Sequence, residues 1–267
     1  MRSAVPVGVN EGAPLKAPTS RAQRGGVLEL SSSAQPVSFV VDAVPVAVED
    51  VQPRERSERL SRVFNVVVAI TAAIILAPLF IAVAIAVKLS SRGPIFYPQV
   101  RVGVDRRFRT KSTHDRRGYD HGGKPFMMFK FRTMQVNAEA DGKAVWAVKS
   151  DPRVTPIGKF LRKTRLDELP QLLNVIRGDM NIVGPRPERP TIFADLRRTI
   201  PEYALRQRVK PGITGWAQIN QAYDSTVDDV RRKVQFDLEY MRRQGLAHDL
   251  QIMTMTIPVM IFRRGAN

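Results

Sequence analysis

The run VFNVVVAITAAIILAPLFIAVAIAV, residues 63–87, is 25 residues long and carries no charge. As a straight helix it would reach ~37 Å, against a hydrocarbon core of roughly 30 Å. A helix that is apolar on every face is seldom found in a small soluble domain, so the run points to a membrane. Pro78 lies near its middle, where it removes a backbone hydrogen bond and bends the helix. Arg54, Arg56, Arg59 and Arg62 precede the run; Lys88, Arg92, Arg101, Arg106 and Arg107 follow it. Positive charge favours the cytoplasmic side, and here both flanks carry it. A bent helix that enters and leaves by one face satisfies both flanks. A re-entrant hairpin is therefore expected rather than a crossing, with Asn65 or Thr71 helping to satisfy the backbone opened at the bend.

On the N-terminal side, residues 1–56 hold six basic and six acidic side chains and show no lasting hydrophobic period. Their Ala, Pro, Val, Ser and Gly content reads as a mostly disordered tail. Asp42 and Pro45 break the best apolar run, which argues against a cleaved secretory signal. On the C-terminal side, SSRGPIFYPQVRVG reads as a turn and a short strand, with Phe96 and Tyr97 suited to the interface between lipid and water. MMFKFRTM (127–134) reads as a second strand, and VTPIGKFLRKT (154–164) as a helix opening at Pro156. Residues 104–124 are basic and unpatterned, which predicts a long loop. TIFADLRRTIPEYALRQR predicts one or two helices, KPGITGWAQIN a type II turn and an extended segment, and 226–243 an amphipathic helix. LQIMTMTIPVMIF is too short to span and is expected to lie on the bilayer or to close the core. The expected organisation is a tail over 1–56, a membrane-embedded hairpin over 57–92 and a cytosolic domain over 93–267. The fold class is α+β, mostly helical, with a few short strands and interfacial amphipathic helices.

The formal net charge is +17, and all of it belongs to residues 57–267, so the globular part keeps polyanionic company. The chain has no cysteine, and its three histidines lack ligand spacing, which argues against a zinc site. GxxxxGK[ST], GxGxxG and GxSxG are all missing, so P-loop, Rossmann and nucleophile-elbow readings fail.

Inside this basic chain stands TRLDELPQLLNVIRGD, residues 164–179, with adjacent carboxylates at Asp167 and Glu168. Thr164-x-x-Asp167 has the spacing of a capping box. Pro170 fits an early helical position, so the two acids sit at or just before a helix N-terminus that runs through Ile176 to Gly178. Neighbours on a helix point ~100° apart, so they divide labour instead of sharing one target. Farther along, Pro185 and Pro187 fix the backbone on either side of Arg186, which suits bidentate phosphate recognition.

KFRTM (130–134), TRLDELPQLLNVIRGDMNIVGPRPE (164–188) and KPGITGWAQIN (210–220) together resemble the bacterial sugar transferase family. These are monotopic phosphoglycosyl transferases, which move a sugar 1-phosphate from a nucleotide sugar onto polyprenyl phosphate. The resemblance implies a bacterial inner-membrane protein with its catalytic domain facing the cytoplasm, starting an exopolysaccharide, capsule or O-antigen unit. It implies a ping-pong reaction in which Asp167 attacks the β-phosphate of a UDP-sugar and UMP leaves. Glu168 matches the family's magnesium-binding acid, making Mg2+ the expected cofactor. Lys130, Arg162 and Arg186 match positions near the phosphates, while Arg132, Asp237 and Tyr240 are carried over as candidate substrate contacts. Expected partners are the UDP-sugar, polyprenyl phosphate and membrane lipid, with a homo-oligomer left open and no nucleic acid. The chain departs from the family at the long 104–124 loop and at Ala77, where Ser often precedes the central Pro. Larger members also carry N-terminal membrane helices, for which residues 1–56 offer no room.

A competing reading is a non-catalytic membrane adaptor that binds anionic lipid or nucleic acid through its basic surface. Aromatics are only 7% of the chain, which disfavours a nucleic-acid module. The acidic dyad and the rigid Arg186 loop suit catalysis alone.

Overall fold

The computed structural model describes residues 51–106, 122–136, 138, 151–221 and 226–261. The tail over 1–50 and most of the 104–124 loop lie outside the described residues.

Two helices form the apolar run: α1 (Glu58–Ile75) and α2 (Ala77–Ser90), bent by 64° at Leu76. Ser57 caps α1 by accepting from the Leu60 amide. Among the described residues no single helix is long and apolar enough to cross a membrane, although this bent pair together has the length and composition to do so. Helical bonding resumes across the break: the Leu76 amide donates to Ala72 at 2.9 Å and the Phe80 amide to Leu76 at 2.8 Å. Pro78 sits in the first turn of α2, where its missing N–H is no loss. Asn65 is therefore not needed at the bend. It is buried, donates to the Ser61 carbonyl at 2.7 Å and accepts from the Ile182 amide at 2.6 Å.

The sheet content is small. Strand β1 (Phe96–Val102) pairs antiparallel with β2 (Pro125–Phe131), Tyr97 opposite Lys130. Phe80 of α2 meets Phe131 at a 4.8 Å ring separation and Phe96 at 5.9 Å, joining the helix pair to this ribbon. Helix α3 (Pro156–Thr164) follows, then a 3-10 turn (Leu166–Glu168) and helix α4 (Gln171–Arg177). Gly178 ends α4 at φ 92, a left-handed cap that glycine adopts without strain. Strand β3 (Asn181–Val183) pairs in parallel with β4 (Gly212–Thr214). Between them run helix α5 (Pro190–Thr199) and a 3-10 segment (Pro201–Arg208). The chain closes with α6 (Trp216–Asn220), α7 (Val227–Arg243) and α8 (Leu246–Ile261). The described part is thus mostly helical with a few short strands.

Several local expectations change. WAQIN is a helix, not an extended segment. Gly212 is not among the glycines with positive φ, so the Pro211-Gly212 step is not a type II turn. Its glycine has another reason: a Cβ there would stand 2.1 Å from the Gly184 amide nitrogen. The β3–β4 pair depends on that close backbone approach. Trp216 is buried, and its indole N–H donates to Glu239 at 2.9 Å, as befits a core residue. Residues 51–56 are tied down: Val51 is fully buried, the Arg54 amide donates to Met241 and Arg56 pairs with Asp249.

Gly212→Ala is expected to lower stability by about 2 kcal/mol through overpacking of backbone on backbone. In a chain of this size that corresponds to a Tm roughly 4–8 °C lower. Gly245→Ala, where the nearest atom to a new Cβ is 3.9 Å away, is the near-neutral control. Thermal unfolding of both variants in detergent checks the difference.

Candidate active site

The dyad does not sit on a capped helix. Thr164 is the last residue of α3, and its hydroxyl donates back to the Phe160 carbonyl at 2.9 Å, so the expected capping box is absent. Arg165 then reverses the chain with φ 56 and ψ 16, the one non-glycine residue with positive φ among those described. Such a conformation costs of order 1–3 kcal/mol and persists only where its surroundings hold it. Asp167 and Glu168 follow in the 3-10 turn, both buried.

Strand β2 supplies the first cation. Lys130 Nζ donates to Glu168 Oε1 at 3.1 Å and lies 3.9 Å from Asp167 Oδ2. The position of β2 is fixed by Asn174 of α4, which behaves like a neighbouring strand. Its Nδ2 donates to the Met127 carbonyl at 2.7 Å, while its Oδ1 accepts from the Phe129 amide at 3.0 Å. A single side chain thus locks the strand bearing Lys130 to the helix that follows the dyad.

The proline loop after β3 supplies the second cation. Arg186 grips Glu168 with both terminal nitrogens: Nη1 donates to Oε2 at 3.1 Å and Nη2 to Oε1. Its side chain remains 30% exposed. The loop is itself pinned. The Gly184 amide donates to Thr214 at 2.9 Å and the Gly212 amide to the Pro185 carbonyl at 3.0 Å.

These contacts divide the two acids electrostatically. Burial pushes Asp167 above the usual carboxylate range; Lys130 opposes that rise and the neighbouring Glu168 charge adds to it. Burial acts on Glu168 in the same direction, but Arg186 and Lys130 outweigh it and hold that carboxyl well below its usual range. The Glu168 charge in turn raises Arg186. Lys130 is lowered, chiefly by desolvation. The result is one locked carboxylate and, beside it, a desolvated one whose ion pair with Lys130 is longer, at 3.9 Å. That second group has the character of a nucleophile.

The remaining expected residues separate. Arg162 acts on Asp167 electrostatically, and its Nε donates to Thr133 Oγ1 at 2.9 Å. Arg132 instead closes the end of α2, donating to the Ser91 carbonyl at 2.8 Å and to Ser91 Oγ at 2.9 Å. Cations favour helix C-termini, so this is a structural use of the charge. Tyr240 is buried and donates to Asp249 at 2.8 Å and to the Val183 carbonyl at 3.2 Å. Asp237 is buried against Arg206. Tyr240 and Asp237 are not brought together with the dyad. Sequence reading passed over Asn174 and Arg206, whose signal was polarity at positions that periodicity assigns to a buried face.

Among the described residues no cluster of three or more His, Cys, Asp or Glu exists that would enclose a metal. Magnesium usually takes one or two carboxylates plus substrate phosphates; the dyad offers two adjacent carboxylates, with both Glu168 oxygens already accepting from Arg186 and Lys130.

A profile of bacterial sugar transferases matches residues 56–263. The chain belongs to the bacterial sugar transferase family. It is 42% identical over 200 residues to the UDP-glucose:undecaprenyl-phosphate glucose-1-phosphate transferase of Escherichia coli (strain K12), covering 74% of this chain and 39% of that protein. It is 38% identical over 207 residues to the UDP-N-acetylgalactosamine-undecaprenyl-phosphate N-acetylgalactosaminephosphotransferase of Aeromonas hydrophila, covering 78% and 45%. The exopolysaccharide production protein ExoY of Sinorhizobium fredii is 38% identical over 219 residues, covering 77% and 87%. The chain spans less than half the length of the first two of these curated relatives.

The opposite perturbations of the two acids make opposite stability predictions. A depressed pKa means that Glu168 contributes stability above its unfolded value of about 4.3, lost only as pH falls through the folded value. Glu168→Gln at neutral pH is expected to destabilise by about 3 kcal/mol, at the low end for a broken buried pair because Arg186 can turn outward. The raised pKa of Asp167 favours its protonated form, a contribution fully present below about 3.9 and lost as pH rises through the folded value. Asp167→Asn removes the desolvated charge and is expected to stabilise by about 1 kcal/mol. Denaturant titrations of the two variants at pH 7 read out the contrast.

Proposed function

We propose that this protein transfers a sugar 1-phosphate from a UDP-sugar to undecaprenyl phosphate, releasing UMP, as the first membrane step of a surface polysaccharide. The observation that carries the reading is the division of the dyad. The cations that hold Glu168 leave Asp167 desolvated, unlocked and within their field. An adaptor binding anionic lipid has no use for such an arrangement.

In this reading an oxygen of the Asp167 carboxylate bonds to the β-phosphorus of the UDP-sugar. The bond from that phosphorus to the bridging oxygen breaks, and UMP departs with the electron pair. An oxygen of polyprenyl phosphate then attacks the same phosphorus, the aspartyl ester bond breaks, and the Asp167 carboxylate is restored. Splitting one displacement into two lowers each barrier. Lys130 and Arg186 receive the phosphate charge, positioned in advance by Glu168, and Arg162 adds to the same field. Glu168 would hold Mg2+ with the substrate phosphates only by giving up part of its grip on Lys130 and Arg186, which would then be free to meet the phosphates. The metal would screen the repulsion between anionic reactants. The relatives named for glucose and for N-acetylgalactosamine set the range of sugars to try.

The bent α1–α2 pair is the membrane element, entering and leaving by the cytoplasmic face. Its 64° bend, basic flanks and exposed Ile74, Ile75, Ile81, Ile85 and Leu89 support this. The domain that follows the hairpin faces the cytoplasm.

Purified protein given polyprenyl phosphate and a panel of UDP-sugars is expected to release UMP with one or a few of them. With donor labelled in its β-phosphate, the wild type should retain protein-bound label and Asp167→Asn none; robust transfer by that variant removes the nucleophile assignment. Tags at residues 50 and 267 are expected both to be cytoplasmic, and finding them on opposite sides replaces the hairpin with a span.

A further inference from the structure

Arg206 is fully buried within the 3-10 segment, far along the chain from the dyad. Its Nε donates to Asp237 Oδ2 at 2.9 Å, and Nη2 approaches the same oxygen at 2.6 Å. Nη1 donates to the Tyr203 hydroxyl at 2.7 Å and lies 4.0 Å from Glu188 Oε1. Nη2 also donates to the main-chain carbonyl of Arg186 at 3.0 Å.

That last contact completes a series. Four consecutive carbonyls of the proline loop are each taken by a different donor. The Gly212 amide holds Pro185 at 3.0 Å, Arg206 holds Arg186, Arg101 Nη1 holds Pro187 at 3.0 Å and the Val102 amide holds Glu188 at 2.9 Å. Pro185 and Pro187 have no N–H of their own, so these two neighbours of Arg186 can be anchored only through their carbonyls. Two of the four donors are charges: Arg101 is partly buried beside Glu188, whereas Arg206 is fully buried, and Asp237 supplies its counter-charge from α7.

We infer that Asp237 and Arg206 form a positioning pair: Asp237 orients Arg206, which fixes the backbone of Arg186 from behind and so aims its guanidinium at Glu168 and the substrate phosphates. Asp237 then controls phosphate transfer without touching substrate. The inference rests on the proposed function for its effect on rate, but not for its effect on the loop.

The test uses the full-length protein in detergent. Because a displacement of about 1 Å can cost on the order of 100-fold in rate, Asp237→Asn is expected to lower kcat for UMP release about 100-fold, with KM for the UDP-sugar within roughly threefold of wild type. Arg206→Lys keeps the charge opposite Asp237 but lacks the fork that reaches both partners. It is expected to reproduce the loss while remaining folded, as judged by Tm. Introduced into Arg186→Gln, Asp237→Asn should add no more than about a twofold loss, since both act through one group. Losses that multiply would overturn the inference, because Asp237 would then act on substrate by itself. So would Arg206→Lys with wild-type kinetics. Hydrogen exchange gives a reading independent of turnover: both variants should accelerate exchange in peptides covering 184–189 but not in α1 or α2. Unchanged exchange there overturns the positioning pair, whereas failure of the wild type to release UMP from any UDP-sugar overturns the functional reading alone.

Discussion

Glu168 is where three separate parts of the chain meet. Lys130 arrives from an antiparallel ribbon, Arg186 from a proline loop behind a parallel pair, and Glu168 itself from a 3-10 turn between two helices. None of these elements is long enough to be rigid alone. Strands β3 and β4 have three residues each, and the turn holding the dyad has three. Rigidity comes from cross-links at their ends: Asn174 onto β2, Gly184 against Gly212, and Arg206 onto the carbonyl of Arg186. A buried ion pair forms well only when its partners are held before they meet, because removing the charges from water is expensive.

The same cluster explains why two chemically similar neighbours behave differently. Both acids are desolvated, and burial raises the pKa of each. Arg186 reaches only Glu168 with its fork, and Lys130 stands nearer to Glu168 than to Asp167. Glu168 therefore takes most of the compensation, and Asp167 keeps the strain. Stability alone would favour a neutral residue at 167. Catalytic carboxylates are often left in such positions, since a poorly solvated anion is a stronger nucleophile.

Sequence reading reached the parts whose chemistry is local. The apolar run, the Pro78 bend, the Gly178 stop and the amphipathic α7 all follow from spacing and residue type. Asp167, Glu168 and Arg186 stood out by their setting, Lys130 only through the family resemblance, and the structure brings those four together. What escaped were roles set by tertiary contact. Thr164 has the spacing of a cap, yet a left-handed Arg165 ends the preceding helix at that residue and turns its hydroxyl backward. Gly212 resembles a turn glycine, yet its lack of a side chain serves a backbone approach to a strand some thirty residues earlier. Arg132 lies two residues from Lys130, and nothing in KFRTM distinguishes the charge that closes α2 from the one that faces the dyad.

The bent helix pair is wired to this cluster rather than merely attached. Arg62 of α1 donates to the Val175 and Ile176 carbonyls in the last turn of α4. One turn later Asn65 accepts from the Ile182 amide in β3, the strand leading into the Arg186 loop. Helix α1 thus grips both the helix that follows the dyad and the strand that precedes its arginine. Tilting α1 would move Glu168 and Arg186 together, preserving their pairing while changing their height above the bilayer. If α1 and α2 lie in the membrane as proposed, the depth of the hairpin sets the level at which phosphates are received. A polyprenyl phosphate has its charge at the headgroup level and its chain in the hydrocarbon. An active site coupled to the hairpin through two polar side chains can therefore meet that acceptor without its reacting phosphate leaving the interface.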